Sequence, residues 1–437
     1  MKRGNPMKLS LLKEKNFSIY IFGKLISLVG SNMQQFALSL YVYALTGSAA
    51  IFATMLSVSI LPRLLLSPFA GVFGDWFDRK KMIVRLDILN GIVLLVFAGL
   101  FTFTEGFSVA MIFALVIVLE ITEVFYEAAS TGIIPSIVSK DDMAQAQSLR
   151  SLVFSVGRLV SPIIGAALYG FFGLFIVLLI NGVSFFLMGV LETMIHVPAH
   201  HRRPDTINRH TFFRDFKEGL NAIRDNRFLQ SIISIGVVIN FVFAPIFSVG
   251  ILVLIIDVLE GSDFQYGLFQ SIITFAMVIG PIIAANLLKK TDIAKVCFTG
   301  MFAATVVMAL MGLLFSELIY GTFASRLSPF VLLLILAFGL GLFISIINIT
   351  VGTLFAQVVP LHLMGRASTV MNLLVTISIP VGQVIFGVMF DHFPVYRVIM
   401  IGSSIVFIAL LLVKNTLLAS TKPNPNLPGK GAFAHEV

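Results

Sequence analysis

The sequence has little charge and almost no cysteine. Asp, Glu, Lys and Arg together make up 12% of the 437 residues, which is about half their share in soluble globular proteins. This excludes a soluble multidomain protein, because such a protein covers its surface with charge, and it excludes a disordered chain, which needs the opposite composition. The single cysteine, Cys297, excludes a disulfide framework and a multi-cysteine metal site.

Long apolar runs fill most of the chain instead, and 58% of the residues are hydrophobic. A transmembrane helix needs ~20 mostly apolar residues. We find twelve such runs, separated by charge clusters and turn residues. Because they are long and continuous, they favour helices over the alternating ~10-residue strands of a membrane barrel. The predicted spans are 17–44, 49–74, 82–103, 108–136, 147–168, 172–196, 228–257, 264–288, 294–316, 328–357, 365–390 and 395–417.

Basic residues collect on alternate connections between these spans. Of the 30 Lys and Arg, 25 lie before span 1, after spans 2, 4, 6, 8 and 10, or beyond span 12. Cytoplasmic segments of membrane proteins carry such an excess, so both termini are predicted to be cytoplasmic. The net charge of +8 therefore orients the chain, and nucleic-acid binding loses its support. No cleavable signal peptide is expected, because the first apolar run is too long and lacks a small-residue cleavage site.

The longest polar segment divides the twelve spans into six and six. Its helical pattern of Phe and Leu predicts an amphipathic helix on the cytoplasmic leaflet. Residues 138–146 resemble residues 359–367, and each stretch leads into a span with a proline. Such a repeat is typical of transporters built from two bundles, although chance similarity between apolar helices also explains it. The predicted domains are an N-terminal six-helix bundle (1–196), a cytoplasmic linker (197–227), a C-terminal six-helix bundle (228–417) and a disordered cytoplasmic tail (418–437).

Residues 71–80, GVFGDWFDRK, end span 2. They resemble the signature between spans 2 and 3 of the major facilitator superfamily, G-x-x-x-D-[RK]-x-G-[RK]-[RK], except that Trp76 replaces a basic residue and Asp78 a glycine. The resemblance implies a carboxylate near a helix N-terminus of the opposite bundle, where negative charge is favoured. A plain positively charged cytoplasmic loop is the alternative. The matching residues are Gly71, Asp75, Arg79 and Lys80.

Residues 157–166, GRLVSPIIGA, lie in span 5. They look like the antiporter signature of the same superfamily, G-x-x-x-G-P-x-x-G-G, with Ser161 and Ala166 as small replacements for glycine. Small residues at every fourth position let helices pack closely, and a proline bends the span. An ordinary packing face is the alternative. Since the motif is typical of exporters, it implies efflux rather than uptake; its residues here are Gly157, Ser161, Pro162 and Gly165.

Three further segments narrow the resemblance to the macrolide-efflux branch of the superfamily, which also contains siderophore exporters. They are residues 17–48, 213–220 and 364–367. The similarity covers nearly the whole chain but is diffuse. It implies the superfamily fold, with two pseudo-symmetric six-helix bundles, in a monomeric, proton-coupled drug antiporter that works by alternating access.

Five basic residues do not belong to the cytoplasmic set. Arg326 and Arg397 lie at external ends of spans, and Lys24 is near enough to the cytoplasmic surface to extend its side chain there. Arg63 and Arg158 lie deeper, ~16 Å from the cytoplasmic end at 1.5 Å per helical residue. Charge at that depth is costly and usually faces a partner or water.

Span 4 carries three carboxylates on one helical face, Glu120, Glu123 and Glu127. They cannot all stay ionised side by side in a low dielectric, so at least one is expected to take up a proton near neutral pH. Together with Arg63 and Arg158 they are the predicted proton-coupling residues, and a purely structural network is the alternative. Many family members have an arginine where this sequence has Glu120, so the family's coupling mechanism does not transfer residue by residue.

Polar and aromatic residues on spans 1, 7 and 10 predict a substrate pocket. Family members form their central cavity from these spans and span 4. An aromatic cavity with few polar groups suits a bulky amphipathic molecule, although most of the 42 Phe must face lipid or pack helices. The predicted substrate-binding residues are Asn32, Gln35, Asn240, Phe243, Phe247, Ser345 and Asn348.

The sequence therefore predicts an all-α, multi-pass protein of the bacterial cytoplasmic (inner) membrane. We expect it to export hydrophobic or amphipathic small molecules, such as macrolide-type drugs, in exchange for protons. The alternatives are export of a siderophore or another endogenous metabolite, and a lipid flippase or non-transporting scaffold. No enzyme is expected, because no nucleophile–base arrangement, metal-ligand spacing or phosphate loop is found. The expected partners are the small-molecule substrate, protons and the lipid bilayer, without nucleic acid, metal or cofactor.

Overall fold

Long helices form nearly all of the structure. The computed structural model describes residues 9–197, 216–218, 220, 221, 223, 224, 226–288 and 291–419, and these residues contain no strand. The predicted tail and most of the predicted linker fall outside the described residues. The long helices are α1 (Lys15–Thr46), α2 (Ala49–Trp76), α3 (Arg79–Phe103), α4 (Val109–Ser130), α5 (Met143–Glu192), α6 (Arg227–Val258), α7 (Asp263–Leu287), α8 (Ile293–Leu314), α9 (Leu327–Val358), α10 (Met364–His392) and α11 (Val395–Ala419).

Ten helices in the described part of the chain are long and apolar enough to cross a membrane, which confirms an all-α membrane protein. At 50 residues, α5 is more than twice the length that one crossing needs. It breaks at Gly173, whose φ of 74° lies in the left-handed region, close to the predicted connection between spans 5 and 6. The remaining helix, α1, is 32 residues long and contains predicted span 1. The count of twelve spans and the cytoplasmic termini stay predictions.

Short polar side chains cap several of these helices. The Asp78 carboxylate accepts a hydrogen bond from the backbone N–H of Lys81 at the start of α3, with 3.1 Å between the atoms. Ser262 and Gln265 form a reciprocal capping box at the start of α7, and Asp292 caps α8. Each cap satisfies N–H groups that have no partner inside the helix. The caps explain why these helices begin next to the predicted connections.

The helices pack into two bundles that meet along two helix pairs. In the first bundle, α5 packs against α1 and α3, and α2 packs against α4. In the second bundle, α9 packs against α7 and α8, and α6 packs against α10 and α11. Between the bundles, α2 contacts α10 and α5 contacts α7.

A carboxylate from α10 caps α2 of the opposite bundle, and we name this contact the outer latch. Asp391 accepts hydrogen bonds from the backbone N–H groups of Ala49, at 2.6 Å, and Ala50, at 3.2 Å. It also accepts one from the hydroxyl of Ser48, at 2.7 Å. A negative charge is favoured at a helix N-terminus. The outer latch therefore holds the bundles together at the end predicted to be external.

Two aromatic contacts join the bundles in the same half of the molecule. The Tyr43 hydroxyl donates a hydrogen bond to the Asp257 carboxylate, and the rings of Phe36 and Tyr266 stack with 5.2 Å between their centres. Both contacts connect the external half of α1 to the second bundle. Together with the outer latch they close the predicted external side.

The described part of the linker helix contacts the second bundle. Phe216 and Ile223 pack against Val370 at the cytoplasmic end of α10, and Glu218 accepts a hydrogen bond from Arg366 at 2.6 Å. These contacts give the apolar face of this segment a protein partner. The predicted position on the lipid leaflet stays untested for the rest of the linker.

We predict that Asp391→Asn weakens the outer latch. The amide loses the negative charge and one acceptor, and a charge at a helix terminus contributes about 1 kcal/mol, so the externally open population is expected to rise about fivefold. The measurement is the distance distribution between spin labels at Glu105 and Ser325, which lie in different bundles on loops predicted to be external.

The matched control is Asp142→Asn. Its carboxylate accepts a hydrogen bond from Ser139 within one bundle, at the predicted cytoplasmic end, so this variant should keep the original distribution. A distribution in Asp391→Asn that is identical to that of the control would show that the outer latch contributes nothing.

Candidate functional site

Two ion pairs connect the span-4 carboxylates to the rest of the first bundle. The Lys24 ammonium lies 3.6 Å from Glu123 Oε1, and the Arg63 guanidinium lies 3.4 Å from Glu127 Oε2. The first pair is the better shielded, because Lys24 is 6% exposed and Glu123 28%, against 48% and 42% for Arg63 and Glu127. Exposed pairs contribute little, so the electrostatic centre of the site is Lys24–Glu123.

The position of Lys24 corrects one expectation from the sequence. Its side chain does not extend to the membrane surface, and it lies inside the bundle with the ammonium 4.3 Å above the centre of the Tyr126 ring. A cation over an aromatic face is attracted to the ring, and a carboxylate is available one helical turn away. Because hydropathy alone does not show which way a side chain turns, the sequence did not identify Lys24 as the partner of Glu123.

Hydrogen bonds between helices hold the acidic face of α4 in register. On one side the Thr122 hydroxyl donates to Asn90 of α3 at 2.6 Å. On the other side the hydroxyls of Tyr20, on α1, and Ser130 are 2.6 Å apart. Buried hydrogen bonds have little geometric freedom. They therefore fix the rotation of α4, and with it the direction of the three glutamates.

A polar cavity of about 120 Å³ collects the predicted coupling residues. Glu120 lies on it without an ion pair to a described residue, and so does Arg158 from α5. Asn32 and Gln35 of α1, which the sequence assigned to substrate binding, lie on the same wall. The structure thus brings together Arg63, Arg158, Glu120, Glu123, Glu127, Asn32 and Gln35.

A larger, mostly apolar cavity of about 460 Å³ lies in the second bundle. Four predicted substrate-binding residues line it, namely Asn240, Phe243, Phe247 and Asn348. Ser345, the fifth predicted residue of the second bundle, does not line this cavity. Its hydroxyl donates a hydrogen bond to the carbonyl of Met277 on α7 at 3.1 Å. The cavity therefore offers aromatic and aliphatic walls with few polar groups. It has the composition of a site for a bulky amphipathic molecule.

A third cavity, of about 400 Å³, lies between the bundles and borders Asn32, Gln35 and Arg158. From the second bundle it is lined by Tyr266 and Gln270, which the sequence reasoning missed. Their spacing of four residues in an otherwise apolar span places both on one helical face, and this was the available signal. This cavity joins the polar wall of α1 to the second bundle.

The loop motif is only partly described. The surroundings of Gly71 and the side chain of Asp75 lie outside the described part of the structure. The predicted contact of Asp75 with the opposite bundle therefore stays a prediction. The Lys80 ammonium donates a hydrogen bond to the carbonyl of Thr193 at 2.7 Å. The guanidinium of Arg79 packs against Gly132, where a Cβ atom would collide with it. Both basic residues thus contact other helix ends of their own bundle.

The span-5 motif places small residues on two faces of α5. On one face, a Cβ atom at Gly165 would lie 3.0 Å from the carbonyl oxygen of Met33 on α1. On the other face, a Cβ atom at Gly267 of α7 would lie 2.8 Å from the carbonyl oxygen of Pro162. Such distances leave room only for glycine. Ser161 is fully buried, and Gly157 packs against side chains of α1.

Metal ligation finds no support in the described part of the chain. No group of three or more His, Cys, Asp or Glu there has the geometry to hold a metal ion. The chemistry that the described site offers is proton uptake by carboxyl groups next to one ammonium and two guanidinium groups.

We predict that Lys24→Met destabilises the protein at neutral pH. It leaves the Glu123 carboxylate without its cation, and breaking a shielded pair from one side costs about 2 kcal/mol after allowance for partial exposure. In acid the carboxyl group takes up a proton, so the loss of stability should be smaller. The measurement is thermal unfolding of the purified variant at pH 5 and pH 8.

Two further variants make this test specific. Lys81→Met removes an exposed ammonium that lies 3.8 Å from Asp78, and it should change stability by less than about 0.5 kcal/mol. Lys24→Met combined with Glu123→Gln removes both charges and should recover most of the stability that Lys24→Met alone loses. Equal stability of Lys24→Met and Lys81→Met at both pH values would contradict the proposed pairing.

Known proteins resemble this chain over most of its length. The family model described as "Major Facilitator Superfamily" matches residues 20–383. The uncharacterised MFS-type transporter YkuC of Bacillus subtilis (strain 168) is 25% identical over 381 residues, which cover 82% of each chain. Macrolide efflux protein A of Streptococcus pyogenes is 21% identical over 403 residues, which cover 91% of this chain and 95% of the relative.

A solved structure shares the arrangement of helices. The nucleoside transporter NupG superposes with a TM-score of 0.70 at 12% identity, covering 93% of this chain and 99% of that one. At this identity the likeness concerns the fold alone. The match of the family model extends over far more than half of the sequence. The chain is therefore a multi-pass membrane transporter that belongs to the major facilitator superfamily.

Proposed function

We propose that this transporter exports hydrophobic or amphipathic small molecules from the cytoplasm in exchange for protons. The observation that carries the proposal is the pairing of two unlike cavities. One, in the first bundle, is small, polar and lined by three glutamates. The other, in the second bundle, is larger and mostly apolar. An exchanger needs a group that binds the proton and a separate surface that binds the cargo.

The proton-binding role falls to the acidic face of α4, with Glu123 as its centre. In the ionised state Glu123 is balanced by the Lys24 ammonium. When Glu123 takes up a proton, the pair loses its attraction and the ammonium is left without a counter-charge. That change alters the balance of charge on the wall that borders the space between the bundles. Protonation is therefore able to favour one arrangement of the bundles over the other.

The cargo-binding role falls to the apolar cavity. Phe243 and Phe247 meet edge to face, with 5.8 Å between ring centres, and Asn240 and Asn348 supply amide groups in the same wall. A cavity of about 460 Å³ lies within the usual range for small-molecule sites. The relative named Macrolide efflux protein A supports a macrolide-type drug as the first cargo to test. Cargo profiling separates drug export from export of a siderophore or another endogenous metabolite.

The bundles then alternate around these cavities. In the present arrangement the outer latch and the Tyr43–Asp257 contact close the predicted external side. Cargo from the cytoplasm binds in this arrangement, and the bundles rock to expose it on the other side. The bacterial relatives support the cytoplasmic (inner) membrane as the location. A single copy of the chain contains both cavities, which supports a functional monomer.

We predict that Glu123→Gln abolishes transport driven by a pH gradient and keeps cargo binding. The amide has nearly the same shape as the carboxyl group but cannot exchange a proton. The measurement is uptake of a radiolabelled macrolide into everted vesicles under an imposed pH gradient, together with equilibrium binding to the purified variant.

Glu105→Gln is the matched control, because Glu105 lies in an external loop away from both cavities and should transport normally. If Glu123→Gln transports at the rate of this control under a pH gradient, that result would contradict proton coupling through Glu123.

We also predict that Asn348→Leu raises the KM for the cargo about three- to tenfold. The change removes a hydrogen-bonding amide worth about 1 kcal/mol from the apolar cavity and keeps its volume. The measurement is the concentration dependence of transport in the same vesicles.

Ser345→Ala provides the comparison on the same helix. Its hydroxyl faces α7 and not the cavity, so its KM should stay within about twofold of the original. A KM that changes for Ser345→Ala and not for Asn348→Leu would contradict the assignment of the cavity.

A further inference from the structure

Two buried carboxyl groups lie behind the span-4 glutamates, and the coupling scheme above does not use them. Asp87, on α3, is 1% exposed, and neither of its carboxylate oxygens has a hydrogen-bond partner among the described residues. Glu192, at the end of α5, is 2% exposed. Its Oε1 atom accepts a hydrogen bond from the Tyr126 hydroxyl at 3.2 Å, and its Oε2 atom has no partner in the described part of the chain. We propose that Asp87 and Glu192 form a second proton-binding site, linked to Glu123 through Lys24.

Burial argues that this site holds a proton. An ionised carboxylate that is buried without hydrogen bonds costs several kcal/mol, and Asp87 is 1% exposed with no hydrogen-bond partner among the described residues. The protonated carboxyl group is neutral and avoids this cost. Asp87 also interacts electrostatically with Glu192, and two like charges in a low dielectric disfavour a doubly ionised pair. One proton shared between the two groups removes both penalties.

The charged and titratable groups around Asp87 come from three helices. Lys24 and Tyr20 belong to α1, Glu123 and Tyr126 belong to α4, and Glu192 belongs to α5. Among these groups Lys24 is the single cation, and it faces three carboxyl groups. Its ammonium touches Glu123 and lies over the Tyr126 ring, and the Tyr126 hydroxyl reaches Glu192. The ammonium therefore lies between the two proton sites.

This arrangement makes the two sites depend on each other. While Glu123 is ionised, it neutralises Lys24, and the pair Asp87–Glu192 keeps its proton. When Glu123 takes up a proton, the positive charge of Lys24 is free to stabilise an ionised carboxylate at the second site. A proton bound at Glu123 therefore favours proton release from Asp87–Glu192. Groups that interact this strongly titrate in separate steps.

A proton suits this site better than a metal cation does. The site has only two carboxyl groups. In the described part of the chain, no group of three or more His, Cys, Asp or Glu has the geometry to hold a metal ion. The neighbouring ammonium repels a second cation. Exposures of 1% and 2% leave no entry for a hydrated ion, whereas a proton needs only a hydrogen bond.

The experiment is an infrared titration of the purified full-length protein in lipid, which follows the C=O band of protonated carboxyl groups. We expect the original protein to show the band of protonated carboxyl groups at neutral pH, and Asp87→Asn to lose the part of its intensity that this site contributes. If Asp87→Asn does not fold, Glu192→Gln serves instead, because its amide oxygen still accepts the Tyr126 hydrogen bond. Glu105→Gln is the control and should keep the band. An unchanged band in the folded variant overturns the proposal.

The link through Lys24 has its own readout. In Glu123→Gln the ammonium is no longer neutralised, so the carboxyl band should disappear at a pH lower by about one unit. A band that disappears at the original pH, or one removed by sodium chloride at neutral pH, also overturns the proposal. The proposal rests on proton-coupled export, yet the titration needs no transport. Failure of that function would appear as normal gradient-driven transport by Glu123→Gln.

Discussion

The cost of placing charge inside an apolar bundle is the constraint on which this structure depends. A soluble protein exposes such charges to water, whereas a membrane bundle must pair them or keep them neutral. Lys24 meets this requirement because its ammonium lies 3.6 Å from the Glu123 carboxylate and over the face of the Tyr126 ring. Asp87 and Glu192 lack a cation of their own and are nearly unexposed. At this depth the described part of the first bundle holds more carboxyl groups than cations, and in the proposed mechanism bound protons balance the difference.

The same constraint explains why the two bundles differ. The proposed proton site lies in the first bundle, and the apolar cavity with its two asparagines lies in the second. In the proposed mechanism, separate sites let the proton and the cargo act on one conformational equilibrium without competing for the same atoms. The two sites share the interface between the bundles, where α5 approaches α7 closely at Gly267 and Asp391 caps α2. We propose that a change of charge in one bundle acts on the other through that interface.

Sequence reasoning predicted those features that follow from periodicity. The shared face of Glu120, Glu123 and Glu127, the close approach at Gly165 and four of the cavity residues in the second bundle depend on helical spacing alone. The partner of Glu123 was not predictable in this way, because spacing along α4 does not show whether Lys24 of α1 or Arg63 of α2 turns towards it. The orientation of Ser345 was not predictable for a related reason, since a hydroxyl that bonds to Met277 on α7 has the same sequence signal as one that faces a cavity. Asp87 is not among the predicted coupling residues, because burial without a partner is a property of the packed helices and has no signal in the sequence.

We propose that cargo and protons bind to linked sites in one chain, and proton release on cargo binding is the direct test. The measurement adds a macrolide-type cargo to the purified protein in weakly buffered solution and follows a pH indicator, at several values of pH. We expect protons to be released near neutral pH, and the release to vanish in strong alkali, where the carboxyl groups are already ionised. Saturable cargo binding without any release or uptake of protons across the whole pH range would contradict it.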